Sequence, residues 1–167
     1  MAARIEECKS VQEIFMMIEK PYYFVFIKFA KPYLSRVDLS NILSSAWSMV
    51  EQSNMDANLT KAQLVSLFKQ CDKSVLMDEA EYKAYQEFPA TVNVYRGLTN
   101  YNKKNIRALS WSLDRKVAEW FSNRFKKGEG KVYSATIDKE HILAFFSGRG
   151  EAEVIVDPKY LLIEGDG

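Results

Sequence analysis

Hydrophobic and polar positions change rhythm about halfway along the chain. From residue 4 to about residue 90 apolar side chains recur at helical spacing. Ile5, Val11, Ile14, Phe15 and Ile18 form one such set, which Pro21 ends. Residues 22–34 are an apolar run that periodicity alone assigns to neither helix nor strand. Residues 39–50 read as a helix. Thr60-Lys61-Ala62-Gln63 has the form of a capping box, with Leu64, Leu67 and Phe68 behind it, and residues 78–88 predict a further short helix closed by Pro89. Beyond residue 90 the period shortens. Residues 91–95 alternate β-branched or aromatic with polar residues, as in a half-buried strand, and residues 106–111, 131–137 and 153–156 predict three more strands. Between them residues 113–125 predict a helix with Leu113, Val117, Ala118, Phe121 and Phe125 on one face and Gly128 past its end.

Helices first and strands later predict an α+β protein. The 167 residues suffice for a single domain with its own core, mainly helical over 1–90 and mainly β over 91–167. Hydrophobic residues make up 47% and charged residues 27%, the balance of a soluble globular chain. The net charge of +1 selects neither nucleic acid nor membrane, although the C-terminal half is the more basic. Cys8 and Cys71 lack metal-ligand spacing and read as reduced thiols, His141 is the only histidine, and no metal is expected. Arg4, Glu6, Glu7 and Lys9 interrupt any leading apolar run, so the expectation is a cytoplasmic protein with no membrane partner.

Three segments of the second half carry chemistry-bearing residues. Val94-Tyr95-Arg96-Gly97 ends a strand on an arginine followed by glycine. Ser110-Trp111-Ser112 places alternate hydroxyls before a helix, where Ser112 has the position of an N-cap. Residues 148–156 run from a Gly-Arg-Gly turn through Glu151-Ala152-Glu153 into an apolar strand, and Glu-x-Glu within a strand puts both carboxylates on one side. Each segment has a structural reading of its own: a surface arginine, a helix cap, a solvated strand face. Gly148-x-Gly150 followed by Glu-Ala-Glu is not a dinucleotide-binding glycine motif, and no Walker-type loop occurs.

In this order the segments resemble the Arg–Ser–Glu class of mono-ADP-ribosyltransferases, which includes arginine-modifying bacterial toxins, phage-encoded transferases and vertebrate ecto-transferases. The resemblance spans residues 91–160, with Trp111 where the family usually has threonine. It implies a helical layer packed on a split antiparallel β-sandwich with an NAD cleft, and NAD as co-substrate. It further implies Arg96, Gly97, Ser110 and Ser112 at the cofactor, Glu153 at the ribose held by Ser110, and Glu151 facing the acceptor. Tyr95, Trp120 and Phe121 are the candidate aromatic wall for nicotinamide. Arg124, Lys126 and Lys127 lie in a segment that could cover the pyrophosphate. Phe145 to Gly150 would form a mobile turn in which Phe146 and Arg149 meet the acceptor. Glu-x-Glu points to an arginine acceptor on a protein, in the setting of a phage or effector protein acting in a host cytosol, with nucleic acid left open as acceptor. An NAD glycohydrolase and a non-catalytic binding module on the same fold are the alternatives.

Overall fold

The computed structural model describes residues 9–50, 57–124 and 130–166. Ile5, Cys8, Phe125, Lys126, Lys127 and Gly128, all invoked from the sequence, lie outside them. The chain divides into two compact units, Met1–Leu76 and Met77–Gly167. The boundary falls ahead of the last helix before the strands, so that helix belongs with the sheet rather than with a helical half ending near residue 90.

The first unit is helical: α1 (Val11–Met16), α2 (Tyr23–Ala30), α3 (Arg36–Met49), α4 (Lys61–Gln70) and α5 (Lys73–Leu76). Residues 22–34, undecided by periodicity, form α2 between two 3-10 turns, Lys20–Tyr22 and Lys31–Tyr33. Each turn has the sequence Lys-Pro-Tyr, and proline there supplies a fixed φ where a helical N–H has no partner in any case. Ser10, Ser35 and Thr60 cap α1, α3 and α4, Thr60 with Gln63 in the full capping box read from the sequence. The core is aromatic. Trp47 meets Phe24 edge-on at 6.5 Å and Phe68 at 5.1 Å, an arrangement that sets ring edges against ring faces. Ser40 Oγ donates to the Arg36 carbonyl and accepts from Asp72 N–H, fixing α3 to the start of α5. Burial pushes the Cys71 thiol up to about 11, so it is an inert core group.

The second unit starts with α6 (Glu79–Gln86), whose Asp78–Glu81 capping box is complete. A six-stranded antiparallel sheet follows in the order β4-β5-β2-β1-β3-β6. Its strands are β1 (Thr91–Leu98), β2 (Ser110–Ser112), β3 (Lys131–Asp138), β4 (Ile142–Phe146), β5 (Glu153–Val156) and β6 (Leu162–Asp166). α7 (Arg115–Asn123) connects β2 to β3. β1 and β3 pair along their whole length, from Thr91↔Asp138 to Leu98↔Lys131. β1 and β2 meet only at Tyr95↔Ser112 among the described residues. The sheet is therefore two three-stranded ladders, β4-β5-β2 and β1-β3-β6, joined at a single register position. The strand expected over 106–111 shortens to Ser110–Ser112 because Arg107 Nη1 is drawn to the carbonyls of Pro158 and Leu161, and Trp111 Nε1 turns back to Ala108 O.

α7 packs on β1 and β3 at two glycines. A Cβ on Gly97 would lie 1.9 Å from Ala118 O, and one on Gly130 would lie 1.8 Å from Ser122 O. Neither position tolerates a side chain while the helix stays seated. Gly97→Ala is expected to destabilise this unit by about 2–3 kcal/mol or more through forced displacement of α7. Denaturant unfolding checks this, and a change under about 0.5 kcal/mol, the size of a neutral surface substitution, contradicts it.

Candidate functional site

The site forms where the two ladders part. Residues opposite one another in an antiparallel pair share a face, and alternation carries that face along each strand. Tyr95↔Ser112 and Ser112↔Glu153 therefore set Tyr95, Ser112 and Glu153 on one face, together with Ser110 and Gly97. α7 occupies that face at Gly97, so the glycine's role visible here is to seat the helix.

Arg96 alternates to the other face with Val94 and Leu98. Beyond Tyr95↔Ser112, however, no ladder closes β1 against β2, and the Arg96 Nη1 donates to the Ser110 carbonyl across the gap. The guanidinium is pulled down to about 10 by burial, a shift that the neighbouring Glu153 carboxylate partly offsets. It stays a cation at neutral pH. Its Nε is buried and has no hydrogen-bond partner. A buried charged donor without an acceptor is costly, so this atom marks the place in the second unit where an anionic oxygen would be most welcome.

Ser110 and Ser112 separate. Ser112, not Ser110, stands directly opposite Glu153, while Ser110 faces Ile155 and lies diagonal to the glutamate. Ser112 is also not the helix cap: Asp114 caps α7, accepting from Lys116 N–H at 2.8 Å. The Ser112 hydroxyl donates to the Glu151 carbonyl at 2.7 Å and accepts from Asp114 N–H at 3.0 Å. With its proton committed and its side chain buried, Ser112 is a tether between β2 and the segment that carries Glu151.

That segment is not a continuous strand. β5 begins at Glu153; Gly148–Gly150 is a 3-10 turn, and Ala152 has φ +43°, in the left-handed region. The alternation that would put Glu151 and Glu153 on one strand face does not apply across Ala152, and Glu151 sits in the turn ahead of the ladder. Leu113 N–H donates to the Ala152 carbonyl at 3.0 Å, so the strained residue is held from β2's side as well. A left-handed non-glycine residue costs roughly 1–2 kcal/mol and persists where its surroundings over-determine it.

Phe145 and Phe146 belong to β4 rather than to a mobile turn. Phe146 is 6% exposed and pairs with Glu153 in the ladder, so its ring packs in the core instead of meeting an acceptor. The side chain of Arg149 lies outside the described residues. Tyr95 and Phe121 are half-buried, and Phe121 meets the exposed Trp120 edge-on at 5.0 Å, with Arg124 5.8 Å from the indole centre. His141 stacks on Tyr160 at 3.5 Å, just ahead of β4.

Glu81 was not singled out by its sequence position. Its carboxylate accepts from Ser147 N–H at 2.7 Å, from the Ser147 hydroxyl at 3.2 Å and from Asp78 N–H at 3.1 Å. Together with Phe145 N–H on Met77 Sδ at 3.2 Å, it fixes the end of β4 from which the Gly148–Gly150 turn departs. The capping-box pattern Asp78-x-x-Glu81 was the available signal, but it explains only one of these three bonds. No cluster of His, Cys, Asp and Glu suited to a metal ion occurs among the described residues. Comparison with protein-family models, with characterised proteins and with solved structures returns no match.

Two measurements check this arrangement. Ser112→Ala is expected to cost about 1–3 kcal/mol, the scale of two hydrogen bonds lost at partly buried backbone groups, whereas Asp114→Ala should cost about 1 kcal/mol as a lost helix cap. Equal small losses in thermal melts would mean the tether is absent. Ala152→Gly is expected to leave stability unchanged or raise it by about 0.5–1 kcal/mol, because release of strain offsets the added chain entropy. A loss above about 1 kcal/mol would place Ala152 in an ordinary conformation.

Proposed function

We propose that the chain is a mono-ADP-ribosyltransferase that breaks the nicotinamide–ribose bond of NAD and transfers ADP-ribose to an acceptor, an arginine of a protein. The observation that carries the reading is the buried Arg96 guanidinium, next to Glu153 and with its Nε unpartnered, at the opening between the ladders.

NAD supplies an anionic pyrophosphate, a nicotinamide leaving group and a ribose whose anomeric carbon gains cationic character as the glycosidic bond breaks. The donor set fits it: Arg96 has a buried cationic N–H in need of an anionic oxygen, and its fork of donors fixes orientation as well as charge. Glu153, at the start of β5, is the carboxylate that favours positive charge on the ribose more in the transition state than in the ground state. Ser110 shares Glu153's face and positions it diagonally, while Ser112 holds the turn from behind. Glu151, free of the strand's alternation, is the carboxylate that orients an incoming guanidinium and accepts its proton. Tyr95 on the same face and Phe121 on α7 are the aromatic candidates for nicotinamide. The phage or effector setting and the host cytosol remain part of this proposal.

Arg96→Ala is expected to weaken NAD binding by about 1.5–3 kcal/mol in titration calorimetry, and unchanged affinity in a folded variant removes Arg96 from the site. The two glutamates should separate in paired assays of nicotinamide release and labelled ADP-ribose transfer to an arginine analogue. Glu153→Gln removes a charge worth about 3–4 kcal/mol to the transition state and should abolish both activities. Glu151→Gln should leave NAD hydrolysis largely intact and lose transfer. Wild-type release without transfer identifies a glycohydrolase, and no release at all identifies a binding module.

A further inference from the structure

The first unit presents a second surface that the proposed chemistry does not use. Residues 19–38 contain Lys20, Lys28, Lys31 and Arg36 against Glu19 and Asp38 at the two ends, an excess of two positive charges. The chain-wide balance of +1, which gave no reason to expect a membrane partner, averages over this segment. Two Lys-Pro-Tyr turns bracket α2 and place a tyrosine beyond each end of it. Tyr22 is 58% exposed, Phe29 70% and Tyr33 87%. Phe29 lies on the exposed side of α2, whose other side is buried by Tyr23, Phe24 and Ile27, and the two exposed tyrosines lie in the turns at its ends. Met16 and Val37, exposed by 53% and 51%, extend the apolar surface at the neighbouring helices.

We infer that this face docks on an anionic phospholipid bilayer as a peripheral contact. Rings with a polar edge, an exposed phenyl group and an excess of lysine over acid are the composition that settles at a headgroup boundary, with the rings at the acyl margin and the ammonium groups among the phosphates. Pro21 and Pro32 have no N–H, so the exposed turns bring fewer backbone donors out of water as they approach the lipid. Lys28 Nζ and Arg36 Nη2 bond backbone carbonyls, of Asn58 and Cys71, and Arg36 also lies within electrostatic reach of Asp72, so the lysines carry most of the surface charge. Nucleic acid would use the lysines and stack on the rings, but gains nothing from Met16 and Val37; a bilayer takes rings, aliphatic groups and cations together. Nothing crosses the bilayer in this arrangement: no helix among the described residues is long and apolar enough to do so.

The test is co-sedimentation of the full chain with vesicles of phosphatidylcholine alone and of phosphatidylcholine mixed with phosphatidylserine, at low and high salt. The chain should pellet with the phosphatidylserine vesicles only, and less as salt rises. Phe29→Ala with Tyr33→Ala, and separately Lys20→Glu with Lys31→Glu, should each weaken binding roughly tenfold or more at unchanged melting temperature. Should either pair melt early, Phe29→Trp serves instead: its emission should shift to the blue on adding phosphatidylserine vesicles and stay fixed with phosphatidylcholine. A chain that stays in the supernatant, binds both vesicles equally, or binds as well in all variants overturns the inference. So does loss of RNA binding or of self-association in these variants without any vesicle binding by the wild type.

Discussion

Between β1 and β2 the sheet is held by one register position, Tyr95↔Ser112, and by the guanidinium of Arg96 on the Ser110 carbonyl. The cation suffers for its position, since burial lowers its affinity for the proton and leaves Nε without an acceptor. The neighbouring Glu153 carboxylate places both signs of charge at one spot, an arrangement that functional sites and structural ion pairs share.

The remaining features hold this spot still. Gly97 and Gly130 let α7 close on β1 and β3 at backbone distance, which fixes the helix flanking the face that carries Ser110, Ser112 and Glu153. Ser112 fastens the Glu151 carbonyl, Leu113 N–H fastens that of Ala152, and Glu81 fastens Ser147. The Gly148–Gly150 turn between these anchors is closed by its own backbone bonds, Gly150 N–H to Ser147 O and Glu151 N–H to Gly148 O. Strain at Ala152 is the consequence of anchoring a short segment at both ends while turning it into β5.

Much of this was legible in the residues, though unevenly. A capping pattern located α4, the run of residues 78–88 closed by Pro89 located α6, and alternation located β1, because each has a local physical cause. β4 lacked any alternation, since Ile142 to Phe146 are buried throughout, and its last two residues read as a turn because glycines follow. β6 was missed for the opposite reason: Leu162 is exposed and the strand sits at the sheet edge. The motif residues Arg96, Ser110, Ser112 and Glu153 do converge, yet their division of labour was not readable. The acceptor of Ser112's hydroxyl, the Glu151 carbonyl, lies 39 residues away, and a left-handed alanine leaves no mark in sequence. The basic aromatic segment around α2 was visible as composition, but its exposed side needed the fold.

The central claim is that Arg96 Nε awaits an anionic oxygen of NAD, and the Nε–H resonance of Arg96 reports on it directly. Its assignment comes from the signal lost in Arg96→Lys. On titration with NAD the resonance should move and saturate, and it should stay in place with nicotinamide riboside, which lacks the pyrophosphate. A resonance indifferent to NAD at concentrations that saturate nicotinamide release would contradict the assignment of Arg96 to the cofactor.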